Sequence, residues 1–450
     1  MNDLTQGPIR GHLARLAGTI LFGMVFQTLY YLVDLYFVAK VGSAAVAAVG
    51  LSGNLMLVTI ALTQALTIGT TTLVAHAWGR KDHAEAHRVF NQSQVLASSV
   101  GLAFVVTAFL LRDRFASQLA ADAETARAVH DYLDFFLPAM GVQFLLVAMG
   151  AALRGAGEVK APMLVQLVSV VMNIVLAPIL IVGWGTGKAM GVAGAGLATF
   201  ISILFASAVL IFWLRKRHDV LVFQPEHWKP DFALWRKMLG IGLPTGGEFL
   251  LMSVYATLIY ALIRDFGAEA QAGFGVGMRV MQTFFMPAMS ISFAIAPIAG
   301  QNYGAGLYDR VREVFRVGLV ATTGMMVVLM LLCHFAPEIA VSPFSSDPKV
   351  VAVAAEMLTT LSFNFLASGV VFVCGSLFQA LGNTVPSLLA SMSRIVCFAL
   401  PSILVARMHG FEIGQLWWIS VLSVLVQMTL CLLLLRREMR KRIPPRTTEA

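Results

Sequence analysis

The stretch from Leu16 to Ala39, LAGTILFGMVFQTLYYLVDLYFVA, decides the fold: its one charged side chain is Asp34. Crossing the roughly 30 Å hydrocarbon core of a bilayer takes about 20 mostly apolar residues in a helix, and this stretch is long enough. Segments of the same kind recur along the chain. Spans are expected at 16–39, 46–77, 91–111, 131–152, 162–183, 191–214, 238–262, 270–302, 317–336, 353–378, 387–407 and 416–435, which makes twelve. Composition agrees: 58% of the 450 residues are hydrophobic, 12% are charged and the mean hydropathy is +0.79, far from globular averages. The first apolar stretch exceeds the h-region of a cleaved signal and lacks a small-residue cleavage site, so it reads as the first span.

The placement of basic residues orients the chain. Twelve spans put both termini on one side, and 22 of the 32 Lys and Arg fall on that side, including Arg80, Lys81, Arg88, the run Arg215-Lys216-Arg217 and the tail from Arg436 to Arg446. Only 8 fall on the other, and Arg279 and Arg394 lie inside spans. The positive-inside rule then predicts cytoplasmic termini, in a bacterial cytoplasmic (inner) membrane. The net charge of +8 therefore reads as membrane topology and not as a nucleic-acid surface. Cys333, Cys374, Cys397 and Cys431 stand singly in apolar surroundings, with no metal or disulfide spacing, and are expected to be buried, inert thiols.

Sliding the chain on itself by half its length matches Gly42 to Gly267, Ala45 to Ala270, Ala47 to Ala272, Gly50 to Gly275, Gly79 to Gly304, Val89-Phe90 to Val314-Phe315, Gly150 to Gly375 and Gly157 to Gly382. A constant offset across loops and helix ends indicates an internal duplication. Six spans per copy is an even number, so both copies enter the membrane in the same direction. The expected fold is all-α and membrane-integral, with two six-helix lobes related by a pseudo-twofold axis along the membrane normal. The lobes are expected at 1–214 and 238–435, with a basic cytoplasmic linker at 215–237 and a basic tail at 436–450, in a monomer.

Charged and amide side chains flanked by apolar sequence are the candidates for function, because they are costly in lipid unless they face a cavity, a partner or an ion. Gln27, Tyr30 or Tyr31, and Asp34 follow helical spacing and line one face, which makes either a cavity wall or a solvated outer end of the helix. In the fifth span Asn173 stands one turn before Pro178, which cannot donate to the carbonyl of Ile174. The freed carbonyl, the amide and a carboxylate are the hard ligands a transient Na+ at Asp34 and Asn173 would take; a plain proline kink is the alternative. Glu248, four residues after Pro244, shares a face with Met252 and Tyr255. A carboxyl taken out of water there can exchange protons near neutral pH or stay protonated and bonded across helices. Arg279 and Arg394 could pair with carboxylates, tether to carbonyls or, for Arg394, snorkel toward the cytoplasm. The 22 Met and 30 Phe, Met278 among them, suit a cavity for flat lipophilic cations as well as ordinary packing. No HExxH, GxxxxGK[ST] or nucleophile with its base occurs, so no enzyme, cofactor or nucleotide is expected and an ion gradient must drive transport.

Tyr30-Tyr31-Leu32-Val33-Asp34 with Val41-Gly42, Leu153-Arg154-Gly155-Ala156-Gly157 with Pro162, Gly191 to Gly196, Gly242-Leu243-Pro244 and Gly300-Gln301-Asn302-Tyr303-Gly304-Ala305-Gly306 occur in this order. With them the chain resembles the multidrug and toxic compound extrusion (MATE) family over almost its whole length. That resemblance implies a V-shaped, two-lobed antiporter exporting small amphipathic organic cations in exchange for H+ or Na+. In the branch with DNA-damage-inducible members, the coupling site of the N-terminal lobe would map to Asp34, Tyr30, Asn173 and Thr199. The fifth-helix Asp of that site does not carry over, since Ala177 takes its place, and the lost negative charge shifts the expectation toward protons. The competing reading in the same superfamily is a flippase for a lipid-linked or other amphipathic metabolite, which typically has fourteen spans and a more basic cavity.

Overall fold

The computed structural model describes residues 3–217, 221–408 and 410–445; of the expected basic tail, 436–442 continue the last helix and 446–450 lie outside the described residues. All secondary structure among the described residues is helical. The helices are α1 (Ile9–Ala39), α2 (Ser43–Gly79), α3 (His83–Leu119), α4 (Ala123–Gly155), α5 (Lys160–Ala177), α6 (Val192–Lys216), α7 (Phe232–Leu262), α8 (Ala268–Gly304), α9 (Tyr308–Phe335), α10 (Pro337–Val341), α11 (Pro348–Leu361), α12 (Phe363–Ala380), α13 (Val385–Val405) and α14 (Ile413–Arg442). Twelve of them are long and apolar enough to cross a membrane. Their outward faces carry large apolar side chains such as Leu32, Leu110 and Phe335, as lipid solvation requires. Cys333, Cys374 and Cys431 are buried and Cys397 is half-buried, all as free thiols.

The internal duplication is visible in the backbone. Shifting α2 by half the chain gives the limits of α8, and the same shift carries the start of α4 onto the start of α11. Helix ends repeat bond for bond. After α4, Gly157 N–H donates to the Arg154 carbonyl and Glu158 N–H to Leu153; after α12, Gly382 donates to Gln379 and Asn383 to Phe378. Gly157 and Gly382 take φ of 86° and 73°, the left-handed conformation that closes a helix and that glycine adopts without a Cβ penalty. The other matched end breaks the rule: Gly306 has φ 74°, while its counterpart Lys81, at φ 59°, is the one non-glycine with positive φ among the described residues.

Two expected spans differ in detail. The span expected at 353–378 is split into α11 and α12 at Ser362, next to the position matching Pro138 inside the continuous α4. Pro178 does more than kink α5. Lacking an N–H, it leaves the ladder one donor short, and the chain widens into a π-helical turn over Pro178–Val182 that Gly183 ends at φ 82°.

By contact the described chain forms two compact units, 19–246 with Asp3, and 4–18 with 247–445. This division cuts inside α1 and α7 and not within 215–237. In the first unit, Asn91 and Gln92 spend every donor and acceptor on residues 222–235 and on His87: Asn91 Nδ2 donates to the His87 and Val222 carbonyls, and its Oδ1 accepts from Gln224 N–H and Trp228 Nε1. Gln92 Nε2 donates to the His227 and Lys229 carbonyls, while Oε1 accepts from Asp231 N–H and Trp235 Nε1. The start of α7 then lies on α2. A Cβ on Gly242 would fall 1.8 Å from the Ala65 carbonyl oxygen, and one on Gly69 would fall 2.2 Å from that of Met238. Such a small-residue seam lets backbones approach in lipid, where hydrophobic attraction between helices is absent. In the second unit, Gln301 accepts from Leu4 N–H, Asn302 donates to the Leu4 carbonyl, and Arg310 reaches both Asn302 and the Gly7 carbonyl.

Candidate functional site

Within the first unit, α1 presents its polar residues on two faces. Gln27 and Tyr31 are exposed and bonded to each other, whereas Tyr30 and Asp34, one turn apart, turn inward. Tyr30 Oη lies 2.8 Å from Thr199 Oγ1 on α6, so two of the expected site residues, 169 positions apart, meet. Asp34 is 8% exposed, and its Oδ1 has no hydrogen-bond partner among the described residues. Tyr30, Tyr31 and the buried Tyr132 of α4 all lie within electrostatic reach of Asp34.

Asn173 is fully buried on α5, one turn before the π-helical turn. Both its amide oxygen and its amide nitrogen lack partners among the described residues, and no hydrogen bond there joins it to Asp34. A buried amide with two open valences costs about 1–3 kcal/mol per group, so such a position is held by something other than its own stability. Oxygen donors of carboxylate and amide type are hard ligands that a monovalent cation accepts, and a carboxylate with an open oxygen can take a proton. Ala177 is fully buried and brings no second charge. Tyr132 is the neighbour that sequence reasoning missed; in the sequence it is one aromatic in an apolar run, without a distinguishing signal.

Within the second unit, Glu248 bonds Ser387 of α13 through one oxygen, while Oε1 has no partner among the described residues. Met252 is exposed and Met278 half-buried. Arg279 of α8 is also exposed. Tyr255, by contrast, is buried and bonds Ser420 of α14 at 2.6 Å, and Arg394 lies over its ring at 4.5 Å from the centroid. Ser387, Ser420 and Asn364, which donates to Ser420 at 3.3 Å, escaped the sequence reading. The signal for this cluster was present: Tyr255 occupies the position that the duplication matches to Tyr30.

Twelve apolar helices, an internally duplicated scaffold and intramembrane carboxylates with open valences are the architecture of a multi-pass membrane transporter. The chain belongs to the MatE family, whose model matches residues 19–179 and 244–404, one copy in each half. It is 26% identical to the Multidrug export protein MepA of Staphylococcus haemolyticus, over 81% of this chain and 80% of that one. It is 28% identical to the Probable multidrug resistance protein NorM of Thermotoga maritima, over 93% and 90%. A solved outward-facing multidrug resistance MATE transporter of the MOP superfamily shares its fold, with a TM-score of 0.90 over 98% of both chains at 22% identity.

Proposed function

We propose that the protein is a secondary active multidrug efflux antiporter of the bacterial cytoplasmic membrane, a monomer with both termini in the cytoplasm. It exports small lipophilic organic cations in exchange for H+ or Na+. The observation that carries this reading is Asp34, a buried carboxylate in a membrane-spanning helix with an unpartnered oxygen beside the Tyr30–Thr199 pair. Membrane carboxylates of this kind serve ion pathways and proton relays. The names of the relatives, multidrug export and multidrug resistance proteins, support the substrate class.

In this reading the Asp34 carboxyl takes up the coupling ion in exchange for substrate. Protonation or cation capture neutralises it, and release restores a negative charge. Tyr30, held by Thr199, keeps a hydroxyl near that charge, and the open Asn173 oxygen supplies a second ligand where the coupling ion is Na+. With Ala177 removing a further carboxylate, one charge suits a proton better than a tightly held sodium ion. Glu248 is a second ionisable element in the other unit.

The test is ethidium-driven proton release from proteoliposomes, with sodium and pH gradients varied separately. Wild type responds to the pH gradient; Asp34→Asn falls to the level of empty liposomes, and retained wild-type exchange in that variant would sink the assignment. Glu248→Gln, measured the same way, judges the second element.

A further inference from the structure

Both copies of the duplication end on the same tripeptide. Arg215-Lys216-Arg217 closes α6 and Arg440-Lys441-Arg442 closes α14, at the constant offset of half the chain. Cations in a last helical turn complement the helix dipole, so this much requires no ligand. The turn before it differs. In α6 it carries Phe212 and Trp213, and the cations stack on them: Lys216 Nζ lies 4.4 Å from the Phe212 ring centroid, and the Arg217 guanidinium 5.6 Å from that of Trp213. In α14 the matched positions hold Arg437 and Glu438, and Ile211 is matched by Arg436.

Glu438 replaces the ring of Trp213 with a charge: it is buried, bonds Arg442 at 2.9 Å and accepts from Asn383 at 2.8 Å, and Lys441 stands within its electrostatic reach without pairing to it. Arg437 does the reverse of Phe212, because it sets a cation where Lys441 would otherwise find a ring. Arg436 and Arg440 repeat the arrangement one position back. Two like-charged pairs therefore stand four residues apart on an exposed helix surface, a spacing at which like charges destabilise a helix. Among the described residues none of these four cations has an ion-pair partner. With Leu433 they line one open concavity of about 440 Å³. Toward the middle of the helix the same face continues as Leu433, Thr429, Val426 and Leu422, all exposed, at steps of three and four residues. Thr429 returns its hydroxyl to the Leu425 carbonyl, so the stripe has no polar group left to satisfy. One face of α14 thus presents about 17 Å of apolar surface and then four unpaired cations.

We propose that this face of α14 is a binding site for an anionic phospholipid, with the headgroup phosphate held by Arg436, Arg437, Arg440 and Lys441 and an acyl chain lying along Leu433 to Leu422. Arginine forks match phosphate oxygens two at a time, and basic clusters at the end of a membrane helix draw anionic lipids. The negative headgroup removes the repulsion that the sequence builds into the last two turns. The matched end of α6 already has aromatic partners for its cations and is not such a site. The inference is independent of the drug-export reading and of the side of the membrane on which α14 ends.

Native mass spectrometry of the purified full-length protein, titrated with dioleoyl phosphatidylglycerol, reads the binding; dioleoyl phosphatidylcholine, whose phosphate is neutralised by its own choline, is the matched control. Wild type binds phosphatidylglycerol in preference to phosphatidylcholine. At about fivefold per basic side chain, Arg436→Gln with Arg437→Gln weakens phosphatidylglycerol about 30-fold and leaves phosphatidylcholine within about twofold. Arg215→Gln with Lys216→Gln removes the same charge from the matched end of α6 and changes neither lipid by more than about twofold. Should the first variant lose its monodisperse peak, Arg436→Ile with Arg437→Phe, the residues of the matched α6 positions, takes its place with the same loss expected. Equal loss in the α6 variant would reduce the effect to net charge and overturn the site, as would an unweakened α14 variant or a wild type without preference between the lipids. Displacement of phosphatidylglycerol by excess inorganic phosphate would make this a free-phosphate site and overturn the lipid.

Discussion

At the scale of single residues, the duplication offers an internal control that few proteins provide. Lys81 and Gly306 close equivalent helices with equivalent bonds, Lys81 N–H to Trp78 and Gly306 N–H to Tyr303, yet Lys81 holds positive φ against a Cβ. Left-handed backbone costs an L residue roughly 1–2 kcal/mol, and the glycine alternative also loses more chain entropy on folding. Lys81→Gly is therefore expected to stabilise the protein by about 1 kcal/mol, read as a higher midpoint in a thermal shift measured in detergent. An unchanged or lowered midpoint would mean that the Lys81 side chain contributes more than its backbone costs. Asp34 illustrates the opposite case, a residue whose environment offers it no bond for one oxygen. Its apolar flanks made it a candidate in sequence, and the pairing of Tyr30 with Thr199 became visible once α1 and α6 were brought together.

At the scale of elements, the packing of α7 on α2 turns on glycines that look alike in sequence and differ in space. Gly242 meets the Ala65 carbonyl, and Gly246 meets that of Ala61; Gly240, on another face of the helix, has nothing within 4 Å. Gly240→Ala should be tolerated or slightly stabilising, by up to about 1 kcal/mol, since alanine is the better helix former. Gly242→Ala should cost about 3 kcal/mol or more, because the obstacle is backbone and cannot rotate away. Fluorescence-detected gel filtration after a temperature ramp separates the two; equal behaviour would refute the seam. The period of hydrophobicity and the proline and glycine punctuation made the twelve spans legible. The division of α11 from α12 and the π-helical turn after Pro178 were not, because both depend on which backbone groups find partners in three dimensions.

At the scale of the whole molecule, the basic segment 215–237 reads as a linker in sequence, but residues 222–235 are held to the first unit by Asn91, Gln92 and Arg88. Asn91→Ala leaves the Val222 carbonyl, the Gln224 N–H and the Trp228 Nε1–H without that partner, a loss of about 2–4 kcal/mol in the attachment of this segment. The expected result is faster trypsin cleavage at Arg236 and Lys237 with the rest of the chain still resistant; an unchanged digestion rate would show the segment to be held by other means. Protonation tests the same attachment. The Asp231 carboxyl is held below its ordinary range, first by the Leu234 N–H it caps and then by Arg88. A carboxyl depressed in the folded state contributes its stability above the unfolded value of about 3.9 and loses it as pH falls through the lower folded value. Cleavage of wild type at these sites should therefore be independent of this group from pH 5 to 8, apart from the protease's own profile. A rise in cleavage between pH 6 and 5 would point away from Asp231.

The sequence by itself determined the apolar character of the chain, the number of spans, the duplication and the short set of residues too polar for lipid to be accidental. Each of these is local or periodic: span length, charge placement, a constant offset and a charged side chain among apolar neighbours are properties of position along the chain. The tertiary structure alone decided partnership. It joined Tyr30 to Thr199 and Tyr255 to Ser420, left Asn173 and Asp34 with open valences, set Arg394 over an aromatic ring, and divided the units inside α1 and α7. Hydrogen bonds and charges are satisfied by whatever lies within about 3 Å, and in this chain those neighbours come from helices more than a hundred residues apart.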